Sequence, residues 1–159
     1  MEASLGALIV LLGTLMAVTA VERFWRHTRC DRLGRELLGF SAAFQRHELQ
    51  HAAWPAATRG AKIISPGMES ELKNTNWLGR TPVGGGYEWL YPYPLPNLKA
   101  GPSLSGAIAV TAFGSQASLK LSPADLLYLD AKIDDGNLAT GNFRTGFNGW
   151  PVWLVSSRR

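Results

Sequence analysis

Three groups of side chains in this chain have the residue types and spacing that chemistry uses. The sharpest is His47-Glu48-Leu49-Gln50-His51. Residues four apart share a helix face, so both imidazoles would point one way and bind Zn²⁺, with Glu48 as base toward a metal-bound water. Glu69 or Glu71 would be the third ligand. The pattern fixes only three positions, however. His47 and His51 also continue an apolar stripe, so packing against a sheet accounts for them without a metal. The second group is Asp130, Asp134 and Asp135, with Asn137 beside Gly136. Hard oxygen donors suit Ca²⁺, but the spacing is not that of an EF-hand, and Asp-Asp-Gly-Asn makes a turn unaided. The third group, Gly84-Gly85-Gly86, is followed by no Lys-Ser/Thr and reads as a turn rather than a phosphate cradle. The single cysteine, Cys30, leaves no intrachain disulfide and no Cys-based metal site. No nucleophile-elbow motif is present. The expectation is a protein with no catalytic residues and no cofactor, calcium being the one candidate ligand.

The elements that must position these groups begin with the first fifty residues. Ala3 to Val21 is apolar, without Pro or charge, and as a helix spans roughly 28 Å, close to the ~30 Å of a bilayer core. Gly6, Gly13, Thr14 and Thr19 within it are tolerated in lipid and at helix–helix contacts. A cleaved secretory signal is a rival, with Val18-Thr19-Ala20 as the cut, but the basic leading region is missing. A plain signal anchor is a second rival. Arg23, Arg26, Arg29, Arg32 and Arg35 follow at every third position, and a ~60° drift per step wraps them around the helix as a solvated or headgroup collar. Leu33, Leu37, Phe40, Phe44, His47 and His51 then fall within ~40° of one direction. That stripe needs a surface to pack on. The helix is expected to run to Ala53 and stop at Trp54-Pro55.

The remaining part is large enough for one small domain. Strands are expected at Tyr87–Tyr91, Ala107–Phe113, Phe143–Thr145 and Trp150–Ser156. A helix starts at Ser122-Pro123, with Ser as N-cap, and ends near Asp134-Asp135-Gly136. Tyr87, Trp89, Tyr91 and Tyr93 alternate and should make one strand face aromatic, as core or, alternatively, as a subunit interface. The fold class is α+β: a long N-terminal helix packed on a small antiparallel sheet. Its divisions are 1–21, the transmembrane half of the helix; 22–54, the amphipathic half; and 55–159, the globular part. The net charge of +4 across 159 residues, with no aromatic-basic interleaving in the Gly/Pro-rich second half, makes a nucleic-acid partner unexpected.

In order along the chain, these pieces resemble the type IV pilin-like proteins, especially the pseudopilins of type II secretion systems. The matching segments are Glu2-Ala3-Ser4-Leu5 with the apolar run, Phe44–Glu48 to Trp54-Pro55, Thr81–Gly85 before Tyr87-Glu88-Trp89, and Leu129–Asn137 with Thr140-Gly141. The resemblance implies a non-enzymatic subunit polymerised through its N-terminal helix into a type II secretion pseudopilus or a pilus-like filament. Its partners would be like or related subunits, an inner-membrane assembly platform and membrane lipid. It would be stored in the bacterial inner membrane as a single-pass protein, with its C-terminal domain in the periplasm. Glu2 would be the assembly glutamate that pairs with a neighbour's terminal amine, which places Met1 about three residues inside the mature protein of that family. Some pseudopilins hold Ca²⁺ in a C-terminal loop, which adds interest to Asp130, Asp134 and Asp135. The alternative from another class is a membrane-anchored zinc hydrolase using the 47–51 motif.

Overall fold

The computed structural model describes residues 2–58, 60–93, 106–113 and 118–156, with the side chains of residues 2–10, 13 and 147 outside the description. One helix, α1, runs unbroken from Glu2 to His51. Its 50 residues reach roughly 75 Å. It stops at His51, slightly earlier than expected, and Ala52 turns the chain with φ 54°. A short helix α2 (Glu69–Leu72) follows, then β1 (Gly86–Leu90), β2 (Gly106–Thr111), α3 (Pro123–Ile133), β3 (Phe143–Thr145) and β4 (Pro151–Val155). The four strands form one antiparallel sheet in the order β1-β2-β4-β3. The coarse α+β expectation therefore stands: a long helix and a small antiparallel sheet.

Period-two alternation sorts the sheet residues. Tyr87 pairs with Val110, Trp89 with Ile108, and Ile108 with Trp153. These side chains face α1, where they bury Leu33, Leu37, Phe40 and Phe44. The predicted stripe is therefore the buried one, except that His51 at its end is exposed. Phe44 stacks on Trp89, with centroids 3.9 Å apart and planes at 11°, and tilts against Trp77 at 5.3 Å. Both tryptophans are fully buried, and each indole N–H has a partner: Trp77 donates to the Ile63 carbonyl at 2.8 Å and Trp89 to that of Pro55 at 3.0 Å. The Trp54-Pro55 stop thus belongs to the core, and Trp54 also tilts against Trp89. Trp89 lies over Gly106, where a Cβ would meet the ring at 1.9 Å, so the indole uses space only a glycine leaves.

Tyr87, Trp89 and Tyr91 take the core side as expected, but Tyr93 does not. It packs with Ala107, Ala109, Val152 and Leu154 on the opposite sheet face. β1 ends at Leu90, and Pro92 breaks the alternation before it reaches Tyr93.

The expected single-pass location in an inner membrane is overturned. Among the described residues, no helix is long and apolar enough to cross a membrane.

Candidate functional site

His47 and His51 come together as their spacing demands, with ring centroids 4.2 Å apart and planes at 24°. Near-parallel stacked rings do not aim two lone pairs at one tetrahedral centre. The Nδ1 of His51 sits 3.0 Å from the His47 carbonyl, and His47 packs under Gly67, where a Cβ would lie 3.2 Å from its ring. Burial, then the neighbouring His51, holds the His47 imidazole below its ordinary pKa, against the pull of Glu71. Glu71 is engaged by Arg46 at 3.0 Å. Among the described residues, the histidines gather no third ligand. Glu48 is buried beside them, and the geometry is that of a packed helix end.

Asp130, Asp134 and Asp135 do converge, each offering an oxygen within 4.8 Å of the others. Two of them are already spent on the following turn. Asp134 accepts from the amides of Asn142 and Phe143, and Gly141 leaves room for it. Asp135 accepts from the Asn137 amide at 2.9 Å and the Thr140 hydroxyl at 2.6 Å. Asp130 lies beneath, fully buried, and among the described residues no donor reaches bonding geometry on either of its oxygens. Burial, then the charges of Asp135 and Asp134, push its carboxyl above the ordinary range, and the Gly136 amide offsets this only in part. As a calcium cradle the set fits in part: Asp130 is uncommitted among the described residues, Asp134 ties the C-terminus of α3 to the start of β3, and Asp135 holds the turn between them.

What sequence reasoning missed is how α1 is fastened. α3 opens with a capping box in which Ser122 and Asp125 bond each other's backbone amides. Arg26 reaches across to this cap: its Nη2 lies 2.9 Å from Asp125 Oδ1 and 3.0 Å from Ser122 Oγ. Tyr128 donates to Asp31 at 3.0 Å and stacks on His27 at 4.0 Å. Arg26 is thus an anchor between helices rather than part of a uniform collar. A second knot centres on Glu36, which accepts from the Tyr87 hydroxyl, the Asn76 amide and Arg32. Burial, then the Glu36 hydrogen bond, push the Tyr87 phenol far above its ordinary pKa. Burial likewise raises the Cys30 thiol to about 11, so Cys30 is a packing residue.

Ahead of these anchors the described apolar side chains of α1 have no cover among the described residues. Leu11, Leu15, Met16, Val18, Val21, Phe24 and Trp25 are all exposed, Met16 by 70%. Their positions spread around the whole helix circumference. Glu2 is the first residue of α1, and its side chain lies outside the described residues.

Comparison with protein-family models, with curated proteins and with solved structures finds no match to this chain. Function must therefore be argued from the chain itself.

The cap–arginine contact has a measurable signature. Burial acts to raise the Asp125 pKa, but the Ser122 amide and hydroxyl and the Arg26 guanidinium outweigh it and hold the carboxyl below its ordinary value. Its folded pKa is depressed, so its stabilisation is present above the unfolded value and is lost as pH falls through the folded one. Asp125→Asn should cost about 1–2 kcal/mol at neutral pH. Urea denaturation of both proteins should show that gap closing below about pH 4, through the depressed carboxylate range. A gap that stays constant to pH 2 would remove the ion pair from the account.

Proposed function

We propose that this protein is a non-enzymatic subunit of a pilin-like filament, of the pseudopilin or minor-pilin kind, joined to its neighbours through the N-terminal half of α1. The observation that carries the reading is the division of labour along one helix. From Cys30 to His47 one face of it is buried against the sheet and α3, whereas the described side chains from Leu11 to Trp25 stand clear of the body, with exposed apolar ones on every side and Glu22 and Arg23 among them. A helix that is apolar all round requires neighbours all round. Several copies of the same helix, staggered along an axis, supply them. The contact is head-to-tail and does not close, so it propagates as a fibre. The order of motifs along the chain supports the same reading. The body would then be carried on the outside of a core of helices.

The test places a charge in the uncovered segment. Met16→Asp should abolish incorporation into sheared fibres and high-mass assemblies. Its effect on the unfolding transition of the body should stay within about 0.5 kcal/mol, because Met16 touches none of the core. Fibres that form equally well with Met16→Asp, or a wild-type chain never recovered in them, would overturn the proposal.

A further inference from the structure

The sheet face turned away from α1 carries a pocket of about 300 Å³, and the filament reading gives it no role. Its floor is one cross-strand row, Glu88 of β1, Ala109 of β2 and Val152 of β4. Ala109 is the reason there is a hollow: a methyl stands between two larger neighbours. Leu90 and Tyr93 close one side. Phe113 and Trp150 make another, their rings edge to face at 79° with centroids 5.0 Å apart. Thr111 is diagonal to Glu88 on the adjacent strand and completes the lining.

Two polar side chains sit in this apolar hollow without partners among the described residues. Glu88 is only 8% exposed, and the ion pairs found among the described residues belong to Asp125, Glu36 and Glu71. Thr111 is 3% exposed, and its hydroxyl oxygen has no hydrogen-bond partner among the described residues. Arg144 stands in the same row on β3, beyond Val152, and donates its Nε to the Gly141 carbonyl. Lys62 and Arg80 line the neighbouring depression on the far side of Thr111 and Phe113. An acceptor-only carboxylate and an unmet hydroxyl in a nearly dry, aromatic-walled hollow call for a ligand with a positive charge and N–H donors. Aromatic faces favour a cation, and the apolar walls favour a short methylene stem.

We propose that this pocket binds a primary alkylammonium group, with the ammonium donating to the Glu88 carboxylate and the Thr111 hydroxyl and the alkyl stem lying against Tyr93, Phe113 and Trp150. The group could be presented by a free short amine or by the side chain of a lysine. Both share the same head and stem, and they differ at the rim of the pocket.

The test is NMR titration of the full-length protein at neutral pH, following the Trp150 indole and Thr111 amide signals. The probes are n-butylamine, the Nα-acetyl methylamide of lysine, and n-butanol. The expected result is saturable, millimolar binding of at least one amine, with butanol about tenfold weaker. Binding of the lysine amide assigns the site to a side chain; binding of butylamine alone assigns it to a free amine. Glu88→Gln should weaken amine binding about tenfold while leaving butanol unchanged. Thr111→Val, which keeps the side-chain shape, should weaken it severalfold and guards against a misfolded first variant. Equal affinities for amine and alcohol, or full amine affinity in Glu88→Gln, would overturn the proposal.

Discussion

Phe44→Ala should destabilise the protein by about 3–5 kcal/mol, at the top of the range for buried aromatic truncations. The ring is fully buried between Trp89 and Trp77. The cost of such a truncation depends on whether the neighbours can collapse into the space left behind. Here they are held. The Trp89 indole is fixed by the Pro55 carbonyl and seated on Gly106, and the Trp77 indole is fixed by the Ile63 carbonyl. Neither can follow the missing ring without giving up a buried hydrogen bond, so the cavity persists. Leu49 lies just beyond on the same helix and is 61% exposed, so Leu49→Ala should change stability by less than about 0.5 kcal/mol. Urea denaturation of the pair decides the matter. A Phe44→Ala loss below about 1.5 kcal/mol would mean that the aromatic stack does not hold the helix to the sheet. The loss would also carry a functional consequence, because the uncovered segment is presented as a rod only while the second half of α1 is held fast.

Local periodicity made the buried face of α1 legible. Leu33, Leu37, Phe40 and Phe44 recur at the helical period, and only one face of such a stripe can be apolar. β3 was legible at Phe143–Thr145, and the Ser122-Pro123 start of α3 was legible from its cap chemistry. Ser122-x-x-Asp125 also spelled out the capping box, a signal that could have drawn attention to Asp125. Nothing local could single out Arg26 among five evenly spaced arginines, because its partner lies 99 residues away. The Glu36–Tyr87 bond spans 51 residues and was hidden for the same reason. The pocket on the outer sheet face depends on strand register, which sets Ala109 beside both Glu88 and Val152. Composition flags Glu88 only as a charge in a strand; the structure shows that it is buried and, among the described residues, without an ion-pair partner. The acidic trio was legible as a cluster, but which carboxylates the turn consumes became clear only from the backbone amides of Asn137, Asn142 and Phe143.

Two glycines of α1 should respond in opposite directions, although both lie mid-helix. A helical glycine costs about 1 kcal/mol relative to alanine, so Gly39→Ala should stabilise by about 0.5–1 kcal/mol. Gly39 is exposed, and a Cβ there would meet nothing within 4 Å. Gly34 faces α3. A Cβ there would lie 2.8 Å from Ile133 Cγ2 and 3.1 Å from Leu129 Cδ1. Gly34→Val adds two further methyls in that direction and gains only a few tenths of a kcal/mol in propensity, so overpacking of about 2–3 kcal/mol wins. α3 cannot slide aside to relieve it. Its first turn is tied to α1 through Arg26 and Asp125, and its middle through Tyr128, Asp31 and His27. Forcing the helices apart at Gly34 should therefore strain the Arg26 contact as well. Gly34→Val should lose part of the acid-sensitive stabilisation that Asp125 confers, whereas Gly39→Ala should keep all of it. Denaturation of both variants at neutral and acid pH separates a local clash from a loosened clamp. A Gly34→Val protein with wild-type stability would show that α1 and α3 do not depend on the close approach a glycine permits.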